Sequence, residues 1–232
     1  MEAIAIIPAR GGSKRIPRKN ILPFSGKPMI SYAIKSALES NCFKKVVVST
    51  DDDEIAAIAE SHGAWVPFRR SAKLSDDFTG TADVIRDAIH QLDSFGEREE
   101  AYCCIYATVP LLLPEMLIQA RENLEVTGRH FVFAACEFDF PIQRAVKMRP
   151  GGFVAPFDPY QMKQRSQDLE PAYRDAGQFY WGTREAWLSE ETVYDGNGKA
   201  YLIPRHRAVD IDTKEDWELA EHLLHALSRG QK

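Results

Sequence analysis

The chain has 232 residues, of which 44% are hydrophobic and 27% are charged, and its formal net charge is −5. These values are typical of one globular domain, and the negative charge argues against a nucleic-acid binder with a wide basic face. The start of the chain lacks the features of a signal peptide, and no apolar run is long enough to cross a bilayer. We therefore expect a soluble cytoplasmic protein with neither a nucleic-acid nor a membrane partner.

Buried-strand and amphipathic-helix patterns alternate through the first 136 residues. The predicted strands are Ala3–Pro8, Val46–Ser49, Ala64–Phe68, Tyr102–Tyr106 and Phe131–Cys136. The predicted helices are one that Pro28 opens, then Asp52–His62, Thr81–Leu92 and Pro114–Val126. Such alternation predicts βαβ units, and therefore an α/β fold with a doubly wound, mostly parallel sheet covered on both faces.

Residues 137–177 interrupt this alternation. Five prolines lie there, and Arg149–Gly152 has the composition of a turn that joins the two strands of a hairpin, Ala145–Met148 and Phe153–Ala155. We interpret the segment as a small protruding excursion from one domain that spans residues 1–232. Strands then resume at Gln178–Trp181 and Ala200–Ile203. A closing helix follows Asp212, for which Asp212 and Glu215 have the spacing of a capping box.

The four cysteines have neither CxxC spacing nor the cysteine and histidine spacing of a metal site. Cys103 and Cys104 are neighbours in a predicted buried strand, so their side chains should point to opposite faces of the sheet. We expect four reduced, structural thiols in a reducing compartment.

The loop of residues 8–20 leaves the first predicted strand at its carboxyl end, where open α/β sheets bind ligands. Gly11 and Gly12 allow backbone amides to approach a ligand closely, and five cationic side chains fall within ten residues, from Arg10 to Lys19. This pattern predicts a polyphosphate site, with a solvated basic turn as the alternative. Neither the Walker spacing nor GxGxxG is present, which argues against an NAD-dependent oxidoreductase.

Asp210 and Asp212 are two residues apart near the end of the chain. On an extended segment this spacing places both carboxylates on one face, as ligands of a hard cation require. Asp212 can instead cap the closing helix, and the residues alone leave both interpretations open.

Four blocks of residues, in this order, resemble the cytidylyltransferases that activate nonulosonic (sialic-type) acids. The blocks are Ile7–Lys14 with Lys19 and Asn20, Val48–Asp52, Arg70–Asp77 with Thr79 and Thr81, and Val209–Asp216. They span almost the whole chain. The resemblance implies a fold of the nucleotide-diphospho-sugar transferase type, a homodimer, a Mg²⁺ cofactor, and transfer of CMP from CTP to an acidic nine-carbon sugar with release of pyrophosphate.

The resemblance also implies roles for individual residues. The nucleotide would be bound by the loop of residues 8–20 and by the third block, through Arg10, Gly11, Gly12, Ser13, Lys14, Lys19, Asn20, Arg70, Thr79 and Thr81. Of these, Arg70, Thr79 and Thr81 would recognise the edge of the cytosine. Arg10 and Lys19 would stabilise charge on the phosphoryl oxygens. Asp210 and Asp212 would bind the metal. The implied catalytic residues are these two aspartates together with Arg10 and Lys19. Thr81 can equally be a plain helix N-cap.

The positions at which this chain differs from the sialic acid enzymes indicate which sugar it binds. Tyr106 stands where they have glutamine, and the stretch Arg174–Gly177 also differs, so the chain resembles the branch that activates pseudaminic acid. The implied sugar-binding residues are Tyr106, Gln143, Arg165, Arg174, Asp175 and Gln178. Arg165 and Arg174 can instead form interface salt bridges. The same reaction on N-acetylneuraminic, legionaminic or 3-deoxy-octulosonic acid is the alternative, and an inactive nucleotide-binding homologue is a remote one.

Overall fold

The computed structural model describes residues 1–128 and 130–229. Its strands are β1 (Ala3–Pro8), β2 (Pro23–Phe24), β3 (Lys27–Pro28), β4 (Lys45–Ser49), β5 (Ala101–Ile105), β6 (Phe131–Glu137), β7 (Val146–Met148), β8 (Val154–Pro156), β9 (Tyr173–Thr183) and β10 (Gly198–Leu202). Its α-helices are α1 (Ile30–Glu39), α2 (Asp53–Ser61), α3 (Thr81–Ser94), α4 (Pro114–Thr127), α5 (Arg184–Leu188) and α6 (Lys214–Arg229).

Six strands form the central sheet in the order β10-β6-β9-β5-β1-β4. The pairs β1–β4, β1–β5 and β10–β6 are parallel, whereas β9 runs antiparallel to both of its neighbours. The predicted α/β fold with a mostly parallel sheet is therefore confirmed. Because β1 lies inside the sheet, the loop that follows it opens at the middle of the edge formed by the carboxyl ends.

Apolar side chains cover both faces of this sheet. One core cluster contains residues of α1, α2 and α4, and the other contains residues of α3 and α5. Cys103 belongs to the first cluster and Cys104 to the second, as their neighbouring positions in a strand predicted. All four cysteines are buried and free. In the described ranges 1–128 and 130–229, no helix is both long and apolar enough to span a membrane.

Three local predictions were wrong. Residues 64–68 do not form a strand: Trp65 makes an isolated parallel bridge to Val47, and Pro67, lacking an N–H, cannot continue a ladder. Pro28 does not open α1, because it pairs with Pro23 in the small β2–β3 ribbon, and the helix begins at Ile30.

The third wrong prediction is the cap of α6, which begins at Lys214 rather than directly after Asp212. The capping box consists of Thr213 and Asp216. The Asp216 N–H donates to Thr213 Oγ1 at 3.2 Å, and the Thr213 N–H donates back to Asp216 Oδ2 at 2.8 Å. Asp212 therefore does not cap α6, which was one of the two roles that the sequence left open.

The excursion carries the predicted hairpin, as β7 paired with β8 in a sheet separate from the central one. Strand β9 begins at Tyr173, so the last residues of the range 137–177 lie in the central sheet. The rest of the excursion exposes a group of large apolar side chains, namely Phe138, Phe140, Ile142, Val146, Met148, Phe153, Val154, Phe157 and Tyr160.

Candidate active site

The phosphate loop, residues 8–20, is held at the carboxyl end of β1 by specific hydrogen bonds. The Gly11 N–H donates to Asp51 Oδ1 at 3.0 Å, and the buried Asn20 amide donates to the Arg10 carbonyl at 2.9 Å. A Cβ on Gly11 would lie 2.7 Å from Asp52 Oδ2, whereas one on Gly12 would meet no atom within 4 Å. Contact with Asp52 therefore requires glycine at position 11, and Gly12 faces open space.

A cavity of about 450 Å³ lies beside this loop. It is lined by Pro8, Arg10, Ser13, Lys14, Arg15, Lys19, Asn20, Asp77, Tyr106, Ala107 and Thr108. The structure thus brings together the predicted triphosphate residues apart from the two glycines. Four cations at one cavity provide the charge that an anionic ligand requires.

Two carboxylates hold these cations in pairs. Arg10 Nη1 lies 2.8 Å from Asp77 Oδ1, and Lys14 contacts the other oxygen of Asp77. Arg15 Nη1 lies 2.6 Å from Asp212 Oδ2, and Lys19 Nζ lies 3.5 Å from Asp212 Oδ1.

Sequence reasoning assigned no role to Arg15 or Asp77. The density of charge in the loop pointed to Arg15, and the end of the Arg70–Asp77 block pointed to Asp77. Which carboxylate meets which cation depends on contacts between residues more than 60 positions apart, and no local pattern encodes them.

Arg18, the remaining cation of the loop, does not line the cavity. It binds Asp52 and Glu54 at the start of α2, with Nη2 3.0 Å from Asp52 Oδ1. This hydrogen-bonded pairing lowers the pKa of Asp52 to about 2. Arg18 therefore braces the loop against a helix, which leaves Arg10, Lys14, Arg15 and Lys19 for a ligand.

A second cavity, of about 230 Å³, adjoins the first through Pro8, Arg10, Asp77 and Tyr106. It contains the three residues predicted to recognise cytosine: Arg70, Thr79 and Thr81. The Arg70 guanidinium is buried, which lowers the pKa of Arg70, and its Nε donates to Ser75 Oγ at 3.1 Å. A rigid, buried donor suits the recognition of a planar base edge.

Thr81 does not cap α3, because Gly80 occupies the N-cap position. The Thr81 hydroxyl is instead 2.8 Å from the Tyr106 hydroxyl. Burial is the main cause that raises the pKa of Tyr106, so this phenol stays protonated at neutral pH. Tyr106 lines both cavities described so far and a third one.

The third cavity, also about 230 Å³, is mostly apolar and includes Asp175. Asp175 Oδ2 accepts hydrogen bonds from Tyr180 at 2.8 Å and Tyr194 at 2.7 Å, and its Oδ1 accepts one from the Gly177 N–H. Burial and the bond to Asp175 raise the pKa of Tyr194 to about 12. Asp175 therefore holds two aromatic walls of the cavity in place, a role that sequence reasoning missed.

The two aspartates of the predicted metal site have different surroundings. Asp212 meets the cations of the first one, whereas Asp210 lines another cavity of about 510 Å³ together with Arg174. Although Asp210 reaches solvent, partial desolvation and then the charge of Asp212 raise the pKa of Asp210. Arg174 donates to the Ala208 carbonyl at 2.9 Å.

Three predicted sugar-binding residues do not line any of these four cavities. Gln143 donates to the Glu170 carbonyl at 2.8 Å, and the exposed Arg165 pairs with Asp168 in its own turn at 2.9 Å. Gln178 is buried in β9 and donates to the Arg207 carbonyl. Their roles toward a sugar stay predictions.

Comparison with known proteins places this site in a family. The chain matches the family model described as Cytidylyltransferase over residues 4–232. It is 48% identical over 223 residues to a pseudaminic acid cytidylyltransferase of Campylobacter jejuni, a match that covers 96% of both chains. It is 34% identical over 240 residues to the CMP-N,N'-diacetyllegionaminic acid synthase of Legionella pneumophila, covering 97% of each.

A solved structure of CMP:2-keto-3-deoxy-manno-octonic acid synthetase complexed with CTP has the same fold. It matches with a TM-score of 0.70 at 18% identity and covers 97% of this chain and 99% of that one. The resemblance drawn from the four sequence blocks is therefore confirmed, and the chain belongs to the cytidylyltransferase family.

Proposed function

We propose that this enzyme transfers CMP from CTP to pseudaminic acid. The observation that carries the substrate assignment is the 48% identity, over nearly the full length of both chains, to the Campylobacter jejuni protein of that name. In the proposed reaction, the anomeric hydroxyl oxygen of the sugar forms a bond to the α-phosphorus of CTP. The bond from that phosphorus to its bridging oxygen breaks, pyrophosphate leaves, and the hydroxyl proton is lost.

We assign the triphosphate to the first cavity. Arg10, Lys14 and Lys19 are the donors that suit phosphoryl oxygens there, with Ser13 beside them. Because these groups are preorganised, charge that develops on the phosphoryl oxygens is stabilised without reorganisation of the site. Asn20 positions the loop and does not bind the phosphates itself, since its amide already donates to the Arg10 carbonyl.

We assign the cytosine to the adjoining cavity around Arg70. The shared wall of the two cavities lets one nucleotide occupy both, with its phosphates at the loop and its base near Thr79 and Thr81. The buried Arg70 provides fixed donors, which match the carbonyl and ring nitrogen acceptors of cytosine.

We propose Asp210 and Asp212 as the residues that would hold Mg²⁺. Their carboxylate oxygens are the donors that this ion prefers. Burial, and then the charge of Asp212, raise the pKa of Asp210, and a bound cation would favour the charged form of both carboxylates. When bound, Mg²⁺ neutralises phosphate charge. Asp212 also orients Lys19 and Arg15 toward the first cavity.

The sugar is assigned to the region around Tyr106, where the nucleotide cavities meet the apolar one. Pseudaminic acid has a methyl group where sialic acid has a hydroxyl, and an apolar wall favours the methyl-bearing sugar. Asp175 supports this wall through Tyr180 and Tyr194. Arg174, which lines the cavity of about 510 Å³ together with Asp210, is the proposed partner of the sugar carboxylate.

We further propose a cytoplasmic homodimer in which the excursion of each copy packs against the other. The support is the exposed apolar group of the excursion, where Phe140 and Phe153 are 75% and 74% exposed. Burying such a group against a second copy is favourable. In such a dimer, Gln143 and Arg165 become available to a sugar site that they do not reach within one chain. The four free, buried cysteines support a reducing compartment.

The test is release of pyrophosphate with CTP and a panel of pseudaminic, N-acetylneuraminic, legionaminic and 3-deoxy-octulosonic acids, followed by UTP, ATP and GTP with the best sugar. We expect the highest kcat/KM with CTP and pseudaminic acid. A higher value with another sugar of the panel would overturn the substrate assignment and retain the reaction. Equal turnover with UTP would overturn the role assigned to Arg70.

A further inference from the structure

Asp77 is an acidic residue in the lining of the first cavity. It lies 2.8 Å from Arg10 and also contacts Lys14, and it lines both nucleotide cavities. These two cations are among the three that the proposed function assigns to the triphosphate. A negative charge in contact with both cations opposes the binding of an anion, so the presence of this carboxylate requires an explanation.

The position of Asp77 is fixed by the turn that carries it. Asp76 Oδ1 accepts hydrogen bonds from the Phe78 N–H at 3.0 Å and from the Thr79 N–H at 2.7 Å, and the Asp76 carbonyl accepts one from Arg10. This turn holds Asp77 toward the phosphate loop while Phe78, the next residue, is 94% exposed. The carboxylate is therefore presented to the cations by the fold.

A phosphate group and Asp77 would use the same donors. The N–H groups of Arg10 and Lys14 that now face Asp77 are those that phosphoryl oxygens bind, and a polyphosphate must displace the carboxylate to use them. We propose, building on the proposed function, that Asp77 is a resident counter-anion for Arg10 and Lys14 that competes with polyphosphate and so favours release of the pyrophosphate product.

The competition persists at neutral pH. Hydrogen bonds from Lys14, and then from Arg10, lower the pKa of Asp77, so this carboxylate remains charged. Asp77 also balances the charge of the loop when the site is empty, which limits repulsion between Arg10 and Lys14. CTP and pyrophosphate both meet this competition, but only pyrophosphate must leave for turnover to continue.

The experiment measures binding of inorganic pyrophosphate by titration calorimetry, without divalent cations, to the full-length wild type and to the variants Asp77→Asn and Asp77→Glu. We expect Asp77→Asn to bind pyrophosphate about fivefold more tightly, the scale for removing two partly exposed ion pairs. Asp77→Glu, which keeps the charge, should bind like wild type. In turnover, Asp77→Asn should lower KM for CTP and also lower kcat, because product release slows.

The matched control is Asp53→Asn, which removes the same charge from a residue that pairs with Arg69 outside the cavities. It should change the pyrophosphate Kd less than twofold. Unchanged or weaker pyrophosphate binding by Asp77→Asn would overturn the inference and assign Asp77 to positioning Arg10. If wild type does not turn over CTP, the proposed function fails, while the calorimetric comparison still decides the role of Asp77.

Discussion

The phosphate loop and the excursion are both assigned to substrate binding, but only the side chains of the phosphate loop are gathered at a cavity within one chain. Residues 8–20 are anchored to β1, β4 and α2, and four of their five cations line one cavity. The hairpin of the excursion lies outside the central sheet, and large apolar side chains of the excursion are exposed. The hydrogen bond of Gln143 and the ion pair of Arg165 stay within the excursion. One chain thus brings together the residues that we assign to the nucleotide, whereas the excursion exposes the apolar surface that we assign to a partner copy.

The largest effect expected in the nucleotide half comes from the acidic pair. Asp210→Asn and Asp212→Asn should each lower turnover by about 10³-fold, because each removes a negative charge from the proposed Mg²⁺ site. Initial rates against Mg²⁺ concentration, with a melting curve for each variant, measure this. The metal requirement should rise in any residual activity, and Mn²⁺ should restore part of it.

Thr213→Ala is the control for that pair, since Thr213 and not Asp212 caps α6. Loss of the cap should reduce the free energy of unfolding by about 1 kcal/mol and leave the Mg²⁺ dependence as in wild type. A wild-type Mg²⁺ profile in Asp210→Asn would place the metal elsewhere.

Three cations of the loop give the next largest effects. Arg10→Ala and Lys19→Ala should each lower kcat by about 10²-fold, the scale for one preorganised donor, with little change in melting temperature. Arg18→Ala should leave kcat nearly unchanged and lower the melting temperature, because Arg18 binds Asp52 and Glu54 and does not line the cavity. Steady-state rates and thermal unfolding of the three variants test this, and equal kcat losses in all three would contradict the division of roles.

A substitution in the excursion should weaken the proposed dimer. Phe153→Glu should raise the dissociation constant of the dimer by at least about 30-fold, as expected for an aromatic anchor of an interface. Its CTP affinity should stay unchanged while sugar turnover falls. Sedimentation velocity measures the assembly, and Val126→Glu, an exposed apolar position on α4 outside the excursion, is the control. A fully active wild-type monomer would show that one chain completes both halves.

The smallest effect concerns the brace between the loop and α2. Asp52→Asn keeps a helix cap but loses the charge that Arg18 binds, so at pH 7 unfolding should require about 1 kcal/mol less free energy. The folded state lowers the pKa of Asp52 from 3.8 to about 2, so its stabilisation is present above pH 3.8 and is lost as the pH falls toward 2. Urea unfolding at pH 7, 4 and 3 should show the gap between variant and wild type narrowing, and a constant gap would contradict the ion pair.

The sequence alone predicted the elements with a strong local pattern. The apolar run Ala3–Pro8 is β1 with the same bounds, and Thr81–Leu92 is α3 within two residues at its end. Periodicity records burial on one or both faces, and burial is what stabilises these elements. The phosphate loop could be placed as well, because glycines and cations after a central strand have few structural uses.

Tertiary contacts decided the rest. Residues 64–68 have a strand pattern, but only Trp65 finds a partner on β4. Arg18 and Lys19 are adjacent in sequence, yet Arg18 binds α2 and Lys19 reaches Asp212, 193 positions away along the chain (212 − 19). Asp77 looked like the end of a motif and proved to hold two cations of the loop. Charge acts through space and its partners are set by how the loops fold together, so a local pattern shows that a charge is present but not what it binds.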